Sequence, residues 1–322
     1  MLAYLLCFVL GLAFPSIVRK VARRETRSNE LYDLADTLSL NLVGGSESTL
    51  WHNMGYWVKA GEESFAEAAS ELCRRVAKAA DRGKRICEVG YGSGDSTLLF
   101  ASEFSPETYV GFTPIESQQA TAARRAVRAG LDPVRFDIRR GDAAVDLGSL
   151  KTSSIDAVVA IDCAFHFNTK QDFFRSATKV LAPSGRIALA DLVLPSSPLT
   201  FLDTFLLRLL CLAARIPFSN LKTPSEYRAS LVSAGFDASS IEMTDISTEV
   251  WAGFLGFVER RNREFGGPSG AVLGSSWKGL DLYSKVVKWY SGEGGGRPRL
   301  RFYLVSAAIG QDEARTASGK VY

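Results

Sequence analysis

The sequence predicts an α/β protein: a parallel sheet flanked by helices, preceded by an N-terminal membrane helix and followed by a helical lid. Three observations carry this. From residue 61 to residue 195 short apolar runs alternate with segments of helical period, the pattern of linked strand–helix–strand units. A glycine-rich turn, Glu88-Val-Gly90-Tyr-Gly92-Ser-Gly94, follows the first such run. Beyond Pro195 the rhythm gives way to an apolar stretch from Phe201 to Ile216.

At the N-terminus, Leu2 to Val18 carries no charge. As a helix it spans roughly 26 Å at about 1.5 Å per residue, marginal against a hydrocarbon core of about 30 Å. Arg19, Lys20, Arg23, Arg24 and Arg27 follow at once. The positive-inside rule then places the rest of the chain in the cytoplasm. Residues 1–18 read as a single-pass anchor, in the endoplasmic reticulum if the source is eukaryotic. A cleaved signal peptide is the rival, with Ala13 a passable cleavage site, but it wants its charge before the apolar run. A buried helix is the third reading, and Pro15 kinks its last turn without forbidding it. Residues 19–60 form a basic collar and a cap segment ending in the aromatic-rich Leu50 to Trp57.

Glu62 to Ala80 predicts a helix, with Phe65, Ala68, Ala69, Leu72, Val76 and Ala79 at helical spacing and Gly83 closing it. Lys84–Val89, Thr108–Phe112, Val134–Arg139, Ile155–Ile161 and Arg186–Leu194 read as strands. Ser96–Phe104, Glu116–Ala129 and Asp172–Leu181 read as the helices between them, the last closed by Ala-Pro-Ser-Gly185. Residues 61–195 thus form a cofactor-binding core, and residues 196–322 hold lid helices and strands that complete the sheet. On a helical projection of Phe201–Ile216, Asp203, Thr204, Arg208 and Arg215 share one arc of about 140°. Further on, Glu226–Ala234, Trp251–Arg263 and Trp277–Tyr290 read as helices, and Ile241–Ile246 and Leu300–Ile309 as strands.

Composition narrows the function. The chain is 46% hydrophobic and 23% charged, as a globular protein is. A net charge of +3, with scattered basic residues and no binding motif, argues against nucleic acid. The five cysteines are widely spaced without a C-x-x-C, which argues against disulfides and a zinc site; no metal is expected.

A glycine-rich turn between strand and helix lets a ligand approach the backbone closely. A dinucleotide fingerprint needs G-x-G-x-x-G, and Gly90 and Gly92 fit, but the third place holds Asp95 and the third glycine is Gly94. Glu88, a carboxylate at the strand's end, suits a cation better than a pyrophosphate. S-adenosylmethionine offers an adenosine, a sulfonium and an amino-acid tail without phosphate. The stretch resembles the first motif of class I S-adenosylmethionine-dependent methyltransferases, E/D-x-G-x-G-x-G. A nicotinamide-dinucleotide protein is the competing reading. The resemblance runs from about Trp51 to Pro195, more loosely to Phe236, and implies a Rossmann-like seven-stranded sheet with S-adenosylmethionine bound by Glu88, Gly90, Gly92 and Gly94.

It implies further cofactor contacts. Asp142, followed by Ala143, lies where the family receives the adenine amino group, and Asp162 closes the strand of its fourth motif. The ribose-binding acid of the second strand is replaced by Thr113, with Gln118 sharing its work, as in some sugar O-methyltransferases. His52-Asn-Met-Gly-Tyr56-Trp57 is similar to the segment that covers the cofactor in sterol and tocopherol methyltransferases. There Tyr56 would pack on the sulfonium, or the segment simply docks on the core.

For catalysis, His166 follows the fourth strand, where natural-product O-methyltransferases carry a histidine pair, and can take a proton from a hydroxyl. Asp191 matches an aspartate of their fifth strand and would orient His166 or bind the acceptor. The plainer alternative makes both local hydrogen-bonding residues. An apolar lid beside an anchor implies a lipophilic acceptor, such as a terpenoid, polyketide, prenylquinone or sterol. Hydroxyl methylation is expected; C-methylation of a sterol or prenylquinone, or a silent cofactor-binding scaffold, are the alternatives.

Overall fold

The computed structural model describes residues 49–310 apart from 60, 61, 82 and 266–273. The anchor expected over Leu2–Val18 and the collar up to residue 48 lie outside the described residues. Among those described, no helix is long and apolar enough to cross a membrane.

The expected alternation is present. Helix α1 (Phe65–Ala79) begins at a capping box: the Ser64 hydroxyl accepts from the Glu67 N–H, and the Glu67 carboxylate accepts from the Ser64 N–H. It ends earlier than Gly83, because Asp81 takes the left-handed conformation at φ +59°. Strand β1 (Arg85–Val89) leads through the glycine turn to α2 (Asp95–Leu99), which runs into a π-helical turn at Phe100–Phe104. Then come β2 (Thr108–Thr113), α3 (Glu116–Arg128), β3 (Phe136–Arg140), the short α4 (Ala143–Asp146), β4 (Ile155–Ile161) and α5 (Lys170–Val180). Strand β5 (Leu181–Val193) starts where α5 stops: Leu181 pairs with Ile155, the register shifts, and Arg186 pairs with Ala157. The turn expected at Ala-Pro-Ser-Gly185 is therefore an irregularity inside a strand.

The second half holds α6 (Phe201–Ala213), α7 (Pro224–Ser233), β6 (Glu242–Asp245), α8 (Ser247–Phe265), α9 (Gly274–Ser291) and β7 (Arg301–Ala308). The seven strands lie in the order β3-β2-β1-β4-β5-β7-β6. Neighbours among β1 to β5 pair in parallel, but β7 is antiparallel to both β5 and β6. The parallel sheet expected of the strands up to residue 195 is present, and β7 makes the seven-stranded sheet a mixed one. Two consecutive helices separate β6 from β7, so the chain re-enters the sheet from its other end. One face of the sheet packs against α1, α8 and α9, the other against α5 and α7.

Two local findings bear on the site. Trp57 anchors the cap segment: its backbone N–H donates to the Glu249 carbonyl at 3.1 Å, its indole to the Met54 carbonyl at 3.0 Å, and its ring lies 5.3 Å from Phe257. Gly253 leaves room for that indole. On α6 the polar arc faces water only in part: Arg208 and Arg215 are exposed, while Asp203 and Thr204 are half-buried. Asp203 is ion-paired to Arg299 at 2.6 Å, whereas Phe201, Leu202, Phe205 and Leu212 are exposed.

Candidate active site

Strand order reverses between β1 and β4, so the loops leaving their carboxyl ends diverge and open a crevice. A cleft of about 1000 Å³, counting its open mouth, lies there. Its floor is the glycine turn. Gly90 and Gly92 adopt φ of +77° and +57°, a region that side chains rarely enter. A Cβ on Gly90 would lie 2.5 Å from the Cys163 sulfur, and one on Gly92 2.8 Å from the His52 ring. The backbone is therefore bare where it meets the cleft. Asp95 holds the turn from behind, gripped by both terminal nitrogens of Arg125 at 2.5 and 2.6 Å.

The expected cofactor residues mostly converge here. Glu88, Asp142, Ala143, Asp162, Thr113 and Gln118 all border the cleft. The Glu88 carboxylate is buried and accepts from the Tyr109 hydroxyl at 2.6 Å; burial pushes its carboxyl up to about 7 despite help from Ser96 and Tyr109. Enclosure likewise raises Asp162 to about 8, against the Met54 N–H it accepts at 2.8 Å and with the help of the Asp191 charge. Asp162 also sits at φ +57°, a conformation that costs a non-glycine residue energy. Thr113 and Gln118 act together: the Thr113 hydroxyl donates to the Gln118 side-chain carbonyl at 2.8 Å. With its proton so placed, the threonine oxygen offers acceptor lone pairs, as a carboxylate does. Asp142 caps α4 by accepting the Ala144 N–H at 2.9 Å.

Three expected residues do not border the cleft, Gly94 among them: its would-be Cβ lies 2.9 Å from the Ala122 side chain. Tyr56 does not border the cleft; its ring lies under the Arg75 guanidinium at 3.7 Å, so that arginine is its cation partner. The cap segment instead reaches the cleft through Leu50, Trp51, His52 and Asn53, and His52 Nε2 is 2.9 Å from the Ser93 hydroxyl. Asp191 is the third correction. It is completely buried behind the cleft, where it accepts from Lys170 Nζ at 2.6 Å, the Tyr227 hydroxyl at 2.7 Å and the Leu192 N–H at 2.9 Å. Its hydrogen bonds go to those groups and not to His166; the two interact only by charge.

His166 does border the cleft, on a 3₁₀ turn after β4. Burial lowers its ring to about 4, opposed by a hydrogen bond to the Arg215 backbone and by the Asp191 charge. The ring is therefore neutral at physiological pH. A backbone bond that favours the charged ring marks a ring N–H donating to a carbonyl, which leaves the other nitrogen with its lone pair.

Residues 87–189 match the family model described as a methyltransferase domain. The chain is similar there to a methyltransferase domain. It is 32% identical over 143 residues to erythromycin 3''-O-methyltransferase of Saccharopolyspora erythraea, covering 44% of this chain and 45% of that one. It is 29% identical over 188 residues to the O-methyltransferase cnsE of Penicillium expansum, covering 54% and 62%. The chain thus spans about half the length of these curated relatives. Among solved structures, the [4+2]-cyclase SpnF superposes with a TM-score of 0.63 at 23% identity, over 87% of this chain and 94% of that one, a likeness of fold.

S-adenosylmethionine is the cofactor of such a domain, and the cleft fits it. Glu88, Asp95, Asp142 and Asp162 border the cleft, and no Lys or Arg among the described residues does. That lining accepts a sulfonium and an ammonium; a pyrophosphate would find no cation there. His52, part of the cap segment singled out in the sequence, borders the cleft together with Leu50 and Trp51 of the same aromatic-rich stretch; Cys163 joins the site with no sequence signal pointing to it.

Proposed function

We propose that this protein transfers a methyl group from S-adenosylmethionine to a hydroxyl of a lipophilic small molecule. The observation that carries the reading is one cleft holding both an acidic, glycine-floored cradle and a neutral histidine. The O-methyltransferase names of the relatives support a hydroxyl acceptor. The apolar outer face of α6 supports a lipophilic one, and Leu2–Val18 would keep such an enzyme at the membrane where that substrate collects.

The bound cofactor supplies an electrophilic methyl group on a cationic sulfur. Glu88, ionised above about pH 7, provides negative charge that balances it, and Asp162, whose carboxyl is raised to about 8, adds to that charge as the pH rises. Thr113, Gln118 and Asp142 are placed to fix the nucleoside end. His166 accepts the hydrogen bond of the acceptor hydroxyl on its lone-pair nitrogen and holds the proton as the oxygen is methylated. A positioned base of this kind is worth about 10²–10⁴ in rate. His166→Ala should therefore lower kcat about 100-fold while cofactor affinity stays within twofold. Steady-state kinetics following S-adenosylhomocysteine release, across hydroxylated terpenoids, polyketides and phenols, tests this; an undiminished kcat refutes the base.

Cofactor binding should depend on pH through Glu88. Its folded carboxyl titrates near 7, so the ionised form that attracts a cation grows from a minor to the major species between pH 6 and 8. Affinity should rise about tenfold over that range, since one unit of pKa is a factor of ten. Glu88→Gln should remove that rise and leave only the part that Asp162, raised to about 8, contributes toward pH 8, as read by calorimetry at both pH values.

A further inference from the structure

His166 is held by the chain that descends from the lid. After α6 the backbone passes Arg215, to which the His166 ring is bonded, and turns at Phe218–Asn220 before joining β5 through the Leu194 N–H and Lys222 carbonyl at 2.8 Å. Asn220 is 2% exposed. Its Nδ2 donates to the Phe165 carbonyl at 3.0 Å and to the Phe167 carbonyl at 2.6 Å, the residues on either side of His166. Its Oδ1 accepts the Lys170 N–H at 3.3 Å, and its own carbonyl accepts from Lys170 Nζ at 2.9 Å. Both amide hydrogens are thus spent on one turn, and that turn carries the candidate base. A buried asparagine with donor and acceptor both satisfied rigidifies what it touches.

We infer that Asn220 is a positioning residue that fixes the His166 turn, so that one ring N–H stays on the Arg215 backbone and the other nitrogen faces the cleft. The lid and the base are thereby one mechanical unit: the lid's descending strand sets the ring's tautomer. The inference rests on the reading of His166 as the base only for its catalytic consequence; the placement of the ring stands apart from it. The charge that acts on the ring is that of Asp191 on β5, itself paired with Lys170 on α5, and the ring is bonded to the backbone of Arg215 after α6. Asn220→Ala changes none of them.

The test uses imidazole NMR of the full chain at neutral pH. With only His52 and His166 present, two ring systems are seen, and His166→Gln assigns them. The wild type should show a His166 ring N–H protected from solvent exchange. Asn220→Ala should speed that exchange at least tenfold and lower kcat at least tenfold, with cofactor affinity within twofold. Asn220→Ser, which keeps a small polar group, serves if the alanine variant does not fold. Tyr227→Phe is the control: it removes a hydrogen bond to Asp191 in the same buried network without touching the His166 turn, and should leave the ring N–H protected. An unmoved His166 signal in the Asn220 variants, or an equal shift in Tyr227→Phe, overturns the inference. Accelerated exchange with unchanged turnover in both Asn220→Ala and His166→Ala would instead sink the base role and keep the positioning.

Discussion

Gly92→Val should abolish S-adenosylmethionine binding while leaving the fold intact. Two costs add at this position. The backbone sits at φ +57°, which a β-branched residue strongly disfavours. The new Cβ would also lie 2.8 Å from His52 Cδ2, so the ring that closes the cleft must give way. His52 is tied to Ser93 on the same turn, and Leu50 to Asp95, so displacing the ring pulls the cap segment off the cradle. We expect at least a 100-fold loss of affinity, about 2.7 kcal/mol. Gly130→Ala is the control. Gly130 has φ +70°, but nothing lies within 4 Å of its would-be Cβ, so it costs about 1–2 kcal/mol of backbone strain and should leave binding unchanged. Calorimetric titration together with thermal unfolding separates the two effects.

The second large effect concerns stability. Asp191→Ala should destabilise the protein by about 3–5 kcal/mol, because it strands the buried Lys170 ammonium. That ammonium is 1% exposed, and burial already pulls its ionisation below the ordinary lysine range. It would keep only the Asn220 carbonyl and the Tyr227 ring. Replacing both partners, Lys170→Met with Asp191→Leu, should recover part of the loss: no buried ammonium is left unpaired, but the Tyr227 hydroxyl and the Leu192 N–H still lose their acceptor. Thermal and denaturant unfolding measure both. Equal stability of Asp191→Ala and wild type would show that the pair contributes nothing. Because Asp191 lies behind the cleft, the double variant should still bind cofactor.

The two predictions mark where the sequence was and was not readable. The placement of Glu88, Gly90 and Gly92 at the cleft was legible because strand and turn impose a fixed spacing on neighbouring residues. Thr113 and Gln118 were legible because they lie five residues apart across the β2–α3 loop, which brings their side chains within 2.8 Å. Asp191 was misassigned because its partners, Lys170 and Tyr227, are 21 and 36 residues away, on two helices behind the sheet. Lys170 opens α5, a place where a lysine ordinarily points to water, and nothing in its neighbours announces burial. Tyr56 failed likewise, since Arg75 comes to it from α1. The direction of β7 depends on how α8 and α9 fold back on each other, and Asp203 turns inward because Arg299 waits there. All of these are long-range facts that local period does not encode. Asn220 belongs with them: a single asparagine in a loop, made significant only by the two carbonyls that frame His166.

The central claim is that this acidic, glycine-floored cleft holds S-adenosylmethionine. The most direct test is a calorimetric titration of the protein at pH 8 with S-adenosylmethionine, S-adenosylhomocysteine and NADPH in parallel. The account predicts one-to-one binding of both sulfur compounds, weakened by Glu88→Gln and lost in Gly92→Val, and no binding of NADPH. Binding of NADPH, or silence with S-adenosylmethionine, would contradict it.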